Sequence, residues 1–143
     1  MKCRIFEIVS LSALSILLLA GASAAQSVNL QAKIPFAFVA GDTAYPAGEY
    51  VVRSIAGPTK MFTLTNRNNG DAGLRLYFPT ASEKPVEESK LVFHQVGNAY
   101  FLYQVWTQAS SVGIELPQSR AETQMARNVA GTDTIIVVAN HLQ

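Results

Sequence analysis

The segment Leu91–Trp106, LVFHQVGNAYFLYQVW, constrains the fold of this chain more than any other stretch of the sequence. It contains the only tryptophan and four further aromatic residues, and most of its other positions are β-branched or apolar. Gly97 and Asn98 lie at its centre, and both tolerate the positive φ that tight hairpin turns require. The segment is therefore predicted to form a β-hairpin around which the core is built.

Both faces of this predicted hairpin are apolar, which is typical of strands that are central in a sandwich or barrel, or covered by another element. Pairing about the turn places His94 opposite Phe101 and Val92 opposite Tyr103. Two interpretations of His94 remain open: a ligand or proton-transfer residue, or a partly buried histidine satisfied by one hydrogen bond. A ligand-binding hypothesis groups His94 with Tyr103 and Trp106, and ordinary cross-strand aromatic packing is its alternative.

Four further regions are predicted to form strands, and one of them is 49–55, which returns after a turn in the loop 41–48. Apolar residues alternate with other residues from 28 to 38, which indicates a long strand with one solvated face. A second hairpin is predicted over 60–79 with a three-residue loop at 68–70, because that register places Leu74 and Leu76 on the face of Phe62. The closing segment 134–139, TIIVVA, is predicted to be a strand buried within the sheet.

One helix is predicted, over 119–129. Ser119 and Glu122 have the spacing of a capping box, in which each side chain bonds a free backbone N–H at the first turn. Its predicted inward face carries Ala121, Met125 and Val129. The sequence therefore predicts an all-β fold with one short helix near 119–129: a single-domain antiparallel β-sandwich or small barrel of about seven strands.

The N-terminus predicts export. Lys2 and Arg4 precede an apolar run at 8–20, and small residues at 21–25 provide a signal-peptidase site, which together indicate a signal peptide over 1–25. The apolar run is too short for a comfortable membrane span and has no charged flank after it. We therefore expect a secreted or periplasmic protein with no membrane span after cleavage.

Cleavage after Ala24 or Ala25 both fit, and the second leaves one domain of residues 26–143. The only cysteine, Cys3, leaves with the signal, so the mature domain has neither a disulfide nor a thiolate site. It would carry nine basic and nine acidic residues, scattered along the chain. This balance gives no indication of a nucleic-acid partner.

Motifs that carry chemistry are mostly absent from the sequence, which contains no nucleophile elbow, phosphate-binding loop or zinc-binding helix motif. No cofactor, metal site or catalytic residue is predicted. The expected function is a non-catalytic structural or interaction module with a protein or small-molecule partner. A lipocalin-like barrel that binds a small ligand is the alternative, and a small hydrolase using His94 is a weaker one.

Four blocks of sequence are familiar as a set: IPFAFVAG at 34–41, PAGEY at 46–50, FHQVGNAYFL at 93–102 and ELPQSRAE at 115–122. Together they resemble a family of small exported proteins from soil bacteria that has no assigned activity. The resemblance covers most of the predicted mature chain. It implies export and a β-rich single domain, and it brings no catalytic residues with it.

Overall fold

A computed structural model describes residues 27–143, so the predicted signal peptide, its cleavage site and Cys3 lie outside the described residues. The strands are β1 (Asn29–Ile34), β2 (Phe38–Ala40), β3 (Thr43–Tyr45), β4 (Gly48–Ile55), β5 (Met61–Asn66), β6 (Ala72–Leu76), β7 (Phe78–Ala81), β8 (Lys90–Val96), β9 (Ala99–Trp106), β10 (Val112–Glu115), β11 (Asp133–Val138) and β12 (Asn140–His141). The helix is α1 (Arg120–Asn128).

The strands form two sheets that do not close into a barrel, so the fold is the all-β sandwich, the first of the two predicted architectures. The first sheet has the order β12-β1-β4-β5-β6, and the second has the order β11-β8-β9-β10-β7 with the β2–β3 hairpin attached to β9. The strands outnumber the predicted seven partly because the long predicted strand at 28–38 is interrupted at Pro35, which has no N–H to donate.

The core fills the space between the two sheets. Leu30, Val52 and Leu64 are cross-strand neighbours on β1, β4 and β5, and all three are fully buried. The ring of Phe38 on β2 packs edge-on against Tyr50 on β4 of the opposite sheet, with 5.1 Å between ring centroids. Burying each such side chain stabilises the fold by about 1.5–3 kcal/mol, so the packing of the two inner faces holds the sandwich together.

The hairpin predicted from Leu91–Trp106 is present as β8 and β9, and His94 pairs with Phe101 as predicted. The prediction that Val92 lies opposite Tyr103 is wrong. An irregularity between Val92 and Phe93 shifts the register, so that Val92 faces Gln104. A bulge of this kind places one extra residue in one strand and changes which side chains face inward beyond it.

The predicted register of the second hairpin is also wrong. Leu74 pairs with Thr63, so Leu74 and Leu76 face outward, and Arg75 pairs with Phe62 on the inner face. The loop contains four residues between a hydrogen-bonded Asn66–Asp71 pair, rather than the predicted three. Arg75 is tolerated inside because its guanidinium group finds partners there, as described below.

The closing strand, predicted to be buried within the sheet, is instead an edge strand. β11 pairs only with β8 among the described strands. Ile135 and Val137 pack against the core, whereas Ile136 is 53% and Val138 54% exposed on the outer face. The chain then crosses at Ala139 to the other sheet, where β12 pairs with β1.

Candidate functional sites

His94 is bonded to a residue of the helix. Its Nδ1 atom lies 2.7 Å from Oε1 of Glu122, and the side chains are 24% and 7% exposed, respectively. Ser119 caps the helix as predicted, because its hydroxyl accepts a hydrogen bond from the Glu122 N–H at 3.1 Å. The predicted return contact of the Glu122 carboxylate to the backbone is replaced by the contact with His94.

This contact sets the rotation of the helix, and the predicted inward face is wrong. Glu122 is the only buried residue of α1, whereas Ala121 and Val129 are exposed and Met125 is half-buried. The carboxylate of Glu122 determines which side of the helix faces the sheet, because a charged group next to an apolar sheet requires a partner. The helix therefore covers the outer face of the hairpin through a polar contact.

The structure brings together only two of the three residues of the ligand-binding hypothesis. His94 stacks on Tyr103, with 4.0 Å between ring centroids and 26° between ring planes. Burial raises the pKa of Tyr103 above its ordinary value, and the neighbouring Glu115 acts in the same direction. Trp106 lies elsewhere: its ring packs against Gly113, and its Nε1–H donates to Gln104.

The hydrolase hypothesis requires a hydroxyl next to His94. Glu122 occupies Nδ1 in the manner of the third member of a catalytic triad, which orients the imidazole. Among residues 27–143, no serine or threonine is hydrogen-bonded to His94. The observed arrangement is thus a histidine, a carboxylate and a stacked tyrosine ring that join helix to sheet.

A cleft of about 660 Å³ opens at one end of the sandwich, and we refer to it as the terminal cleft. It lies among the β4–β5 turn, the β6–β7 junction and the β9–β10 turn. Hydroxyl groups, apolar side chains and one cation form its walls: Ser27, Val28, Ser54, Ile55, Lys60, Tyr77, Pro79, Thr107, Ser110, Ser111, Val112 and Ile114. His94, Tyr103 and Trp106 do not line it.

The β9–β10 turn that forms one wall of the terminal cleft is unusual in two respects. Ala109 has φ of 63°, and it is the only non-glycine residue with positive φ in the described part of the chain. The Oγ1 atom of Thr107 is buried and has no hydrogen-bond partner among residues 27–143. Backbone bonds between Val86 and both Ala109 and Ser110 hold the turn, so the polar segment after β7 packs against it.

The outer face of the first sheet carries a second candidate site. Ile55 pairs with Met61, and Met61 pairs with Leu76, so these side chains form one row across three strands. Leu74 lies beside Leu76 on the same face. Ile55, Leu74 and Leu76 are 43%, 47% and 57% exposed. We call these four residues the outer apolar strip.

The polar half of the same face contrasts with the strip. Gln31 bonds both Glu49 and Arg67, and Arg53 donates to Asn29, so the side chains on β1 and β4 satisfy one another. Within residues 27–143, no group of three or more histidine, cysteine, aspartate or glutamate side chains is placed to hold a metal ion. None of the helices described is long and apolar enough to cross a membrane.

Sequence reasoning missed both the terminal cleft and the outer apolar strip. The sequence does not reveal the strip, because alternation along the chain assigns Leu74 and Leu76 to the core. It does not reveal the cleft, because the cleft walls come from turns that are far apart in sequence. The partner of His94 could have been suspected, since the capping motif already singled out Glu122. Comparisons with protein-family models, curated proteins and solved structures found no significant match.

Proposed function

We propose that this protein is an exported, non-catalytic module that binds another polypeptide through the outer apolar strip. The observation that carries the proposal is a row of apolar side chains in which exposed Ile55 and Leu76 flank half-buried Met61. Contiguous apolar side chains rimmed by polar residues are typical of interaction sites, because water contact with them is unfavourable. Export is supported by the signal-like sequence of residues 1–25.

The surroundings of the strip favour one kind of partner. Arg53 lies in the adjacent cross-strand row with Thr63 and Leu74, and Lys60 directly precedes Met61; both basic residues are exposed. We expect a partner whose apolar surface is bordered by carboxylates, since complementary charges accelerate encounter and select the partner. Binding of this kind weakens as salt is added.

A non-catalytic role is favoured by the environment of His94. This is the residue that the sequence marks for proton transfer, and its Nδ1 atom bonds Glu122 while its ring stacks on Tyr103. These contacts explain the histidine as a link between β8 and the helix. We favour a polypeptide partner over the lipocalin-like alternative because the two sheets are not closed into a barrel.

Site-specific crosslinking in exporting cells tests the proposal. A photoreactive residue at position 76 is expected to capture one protein of defined mass, and the capture should disappear when Met61→Asp is added. The matched control is position 33, because Lys33 is exposed on the polar half of the same sheet face. Mass spectrometry of the exported chain should find an N-terminus at residue 25 or 26.

Two outcomes would contradict the proposed partner. Equal capture from positions 33 and 76 would indicate non-specific contact, and capture of a second copy of this chain alone would make the strip a self-association surface. Retention of the chain inside the cell with residues 1–25 intact would contradict export.

A further inference from the structure

We propose that the terminal cleft is a binding site for an uncharged saccharide of one or two rings. The cleft volume of about 660 Å³ lies within the range of small-molecule sites. The site is separate from the strip that carries the proposed function, because Leu74 and Leu76 do not line the cleft. Ile55 and Lys60 lie at the boundary between the two.

The chemistry of the walls selects the class of ligand. Hydroxyl groups of Ser27, Ser111 and Tyr77 line the cleft and make no hydrogen bond with other described side chains or backbone. A hydroxyl both donates and accepts, so several of them together match the hydroxyl groups of a sugar. Val28 and Val112 provide apolar surface for the C–H face of a ring.

Charged and purely apolar ligands fit the same walls poorly. Among the lining residues Lys60 is the single charged side chain, and it is exposed, so an anion would find one solvated partner. The described residues that line the cleft include no carboxylate to receive a cation. An apolar ligand would remove the wall hydroxyls from water without replacing their hydrogen bonds, which is unfavourable.

The β9–β10 turn adds a second, independent observation. Ala109 holds a left-handed backbone conformation that alanine rarely adopts, and Thr107 holds a buried hydroxyl with no partner. Strained backbone and unsatisfied polar groups concentrate at binding sites, where a ligand makes use of them. Thr107 itself lines the cleft, so a change of its side-chain rotamer is the step by which this hydroxyl would reach a bound ligand.

The only tryptophan provides a built-in reporter for the cleft. Gly113 lines the cleft, and the indole of Trp106 packs directly behind it: a Cβ at Gly113 would lie 2.7 Å from the ring. Trp106 is also adjacent in sequence to Thr107. Occupation of the cleft should therefore change the fluorescence of Trp106 without contact between ligand and indole.

The experiment titrates the full exported chain with glucose, N-acetylglucosamine and maltose while Trp106 fluorescence and backbone amide shifts are recorded. Saturable binding of at least one sugar with Kd of about 1 mM or tighter is expected, with shifts concentrated at 107–113. Thr107→Val and Ser111→Ala should each weaken that binding at least fivefold, and Thr107→Ser should restore it. Thr63→Val, on the outer face, should leave it unchanged.

Other outcomes overturn the inference. Absence of saturable binding by all three sugars would reject the saccharide site, as would amide shifts confined to the hairpin around His94. Tighter binding of glucuronate than of glucose, lost in Lys60→Met, would replace the uncharged ligand with an anionic one. Met61→Asp separates this inference from the proposed function, because it should abolish partner capture from position 76 and leave sugar binding intact; Met61 does not line the cleft.

Discussion

Glu122 and His94 are separated by 28 positions in sequence, and their side chains meet at 2.7 Å to join the helix to the central hairpin. The carboxylate is almost fully buried, whereas the imidazole is about one quarter exposed. A hydrogen bond to a charged group contributes about 1.5–3 kcal/mol when both partners are present. This one contact therefore accounts for a large part of the attachment of α1.

Removing either partner should loosen the helix. We expect Glu122→Gln and His94→Gln each to lower the free energy of unfolding by about 1–3 kcal/mol, since each leaves the other group poorly paired. Urea unfolding followed by Trp106 fluorescence measures the change. In the double variant the losses should be less than additive, because the second substitution removes a contact that is already broken. Full additivity would show that the two side chains do not interact.

A second prediction concerns Gly73, which lies beneath the hydroxyl of Tyr45. A Cβ at Gly73 would stand 2.0 Å from Tyr45 Oη, so Gly73→Ala forces the ring or the strand to move. Overpacking of this kind lowers stability by about 1–3 kcal/mol. In a Tyr45→Phe background the same substitution should be tolerated better, because the nearest remaining ring atom is 3.2 Å away. Equal losses in both backgrounds would contradict the proposed clash.

Tyr45 also links the two sheets through Arg75. The Arg75 guanidinium donates to Tyr45 Oη at 2.6 Å and to the Ala40 carbonyl at 2.9 Å. Burial raises the pKa of Tyr45 above its ordinary value of 10.0, against the opposing effect of Arg75, and burial likewise raises the pKa of Tyr50. Both phenols thus stay protonated in the folded state at a pH where the unfolded chain ionises.

These raised pKa values predict alkaline unfolding. The phenols contribute stability that is complete below about pH 10 and is lost as the pH rises through their folded-state values. Absorbance of tyrosinate should show some tyrosines titrating late in the native protein and normally in urea. The free energy of unfolding should fall more gently with pH in Tyr50→Phe than in the natural chain. A native titration identical to that in urea would contradict this prediction.

The strained turn of the terminal cleft predicts a substitution that increases stability, in contrast to the substitutions above. Ala109→Gly should raise the free energy of unfolding by about 1 kcal/mol, because glycine adopts positive φ without the Cβ penalty. The matched control is Ala126→Gly inside α1, where the same change should lower stability by about 0.5–1 kcal/mol. Thermal unfolding of the two variants distinguishes them. Destabilisation by both would mean that Ala109 carries no strain.

The edge strand β11 is expected to promote aggregation at high protein concentration. Ile136 is exposed and lies on a strand rich in β-branched residues, which favours edge-to-edge association. We expect Ile136→Lys to slow aggregation on heating and to change stability by less than about 0.5 kcal/mol. Light scattering measures the first effect. Ile135→Lys, directed at the core, should unfold the protein; if Ile136→Lys does so as well, the described exposure of Ile136 is incorrect.

The register of the 60–79 hairpin shows where sequence reasoning failed. The alternation of apolar residues predicts that the leucines of this hairpin face the core. In the structure Arg75 points inward and Leu74 points outward. Alternation along the chain does not show that Tyr45 and Ala40 accept hydrogen bonds from the Arg75 guanidinium group. Those partners come from the β2–β3 hairpin, so only the assembled sandwich can reverse the preference.

Local patterns in the sequence determined the strand-rich class, the turn at Gly97–Asn98 and the capped helix start at Ser119. Each of these depends on backbone preferences of neighbouring residues. Contacts between distant segments decided the register shift between β8 and β9, the rotation of the helix toward His94 and the exposure of the outer apolar strip. They also formed the terminal cleft, whose walls come from turns about 50 residues apart. Such contacts depend on which partners surround each side chain after the sheets pack, and alternation along the chain does not contain that information.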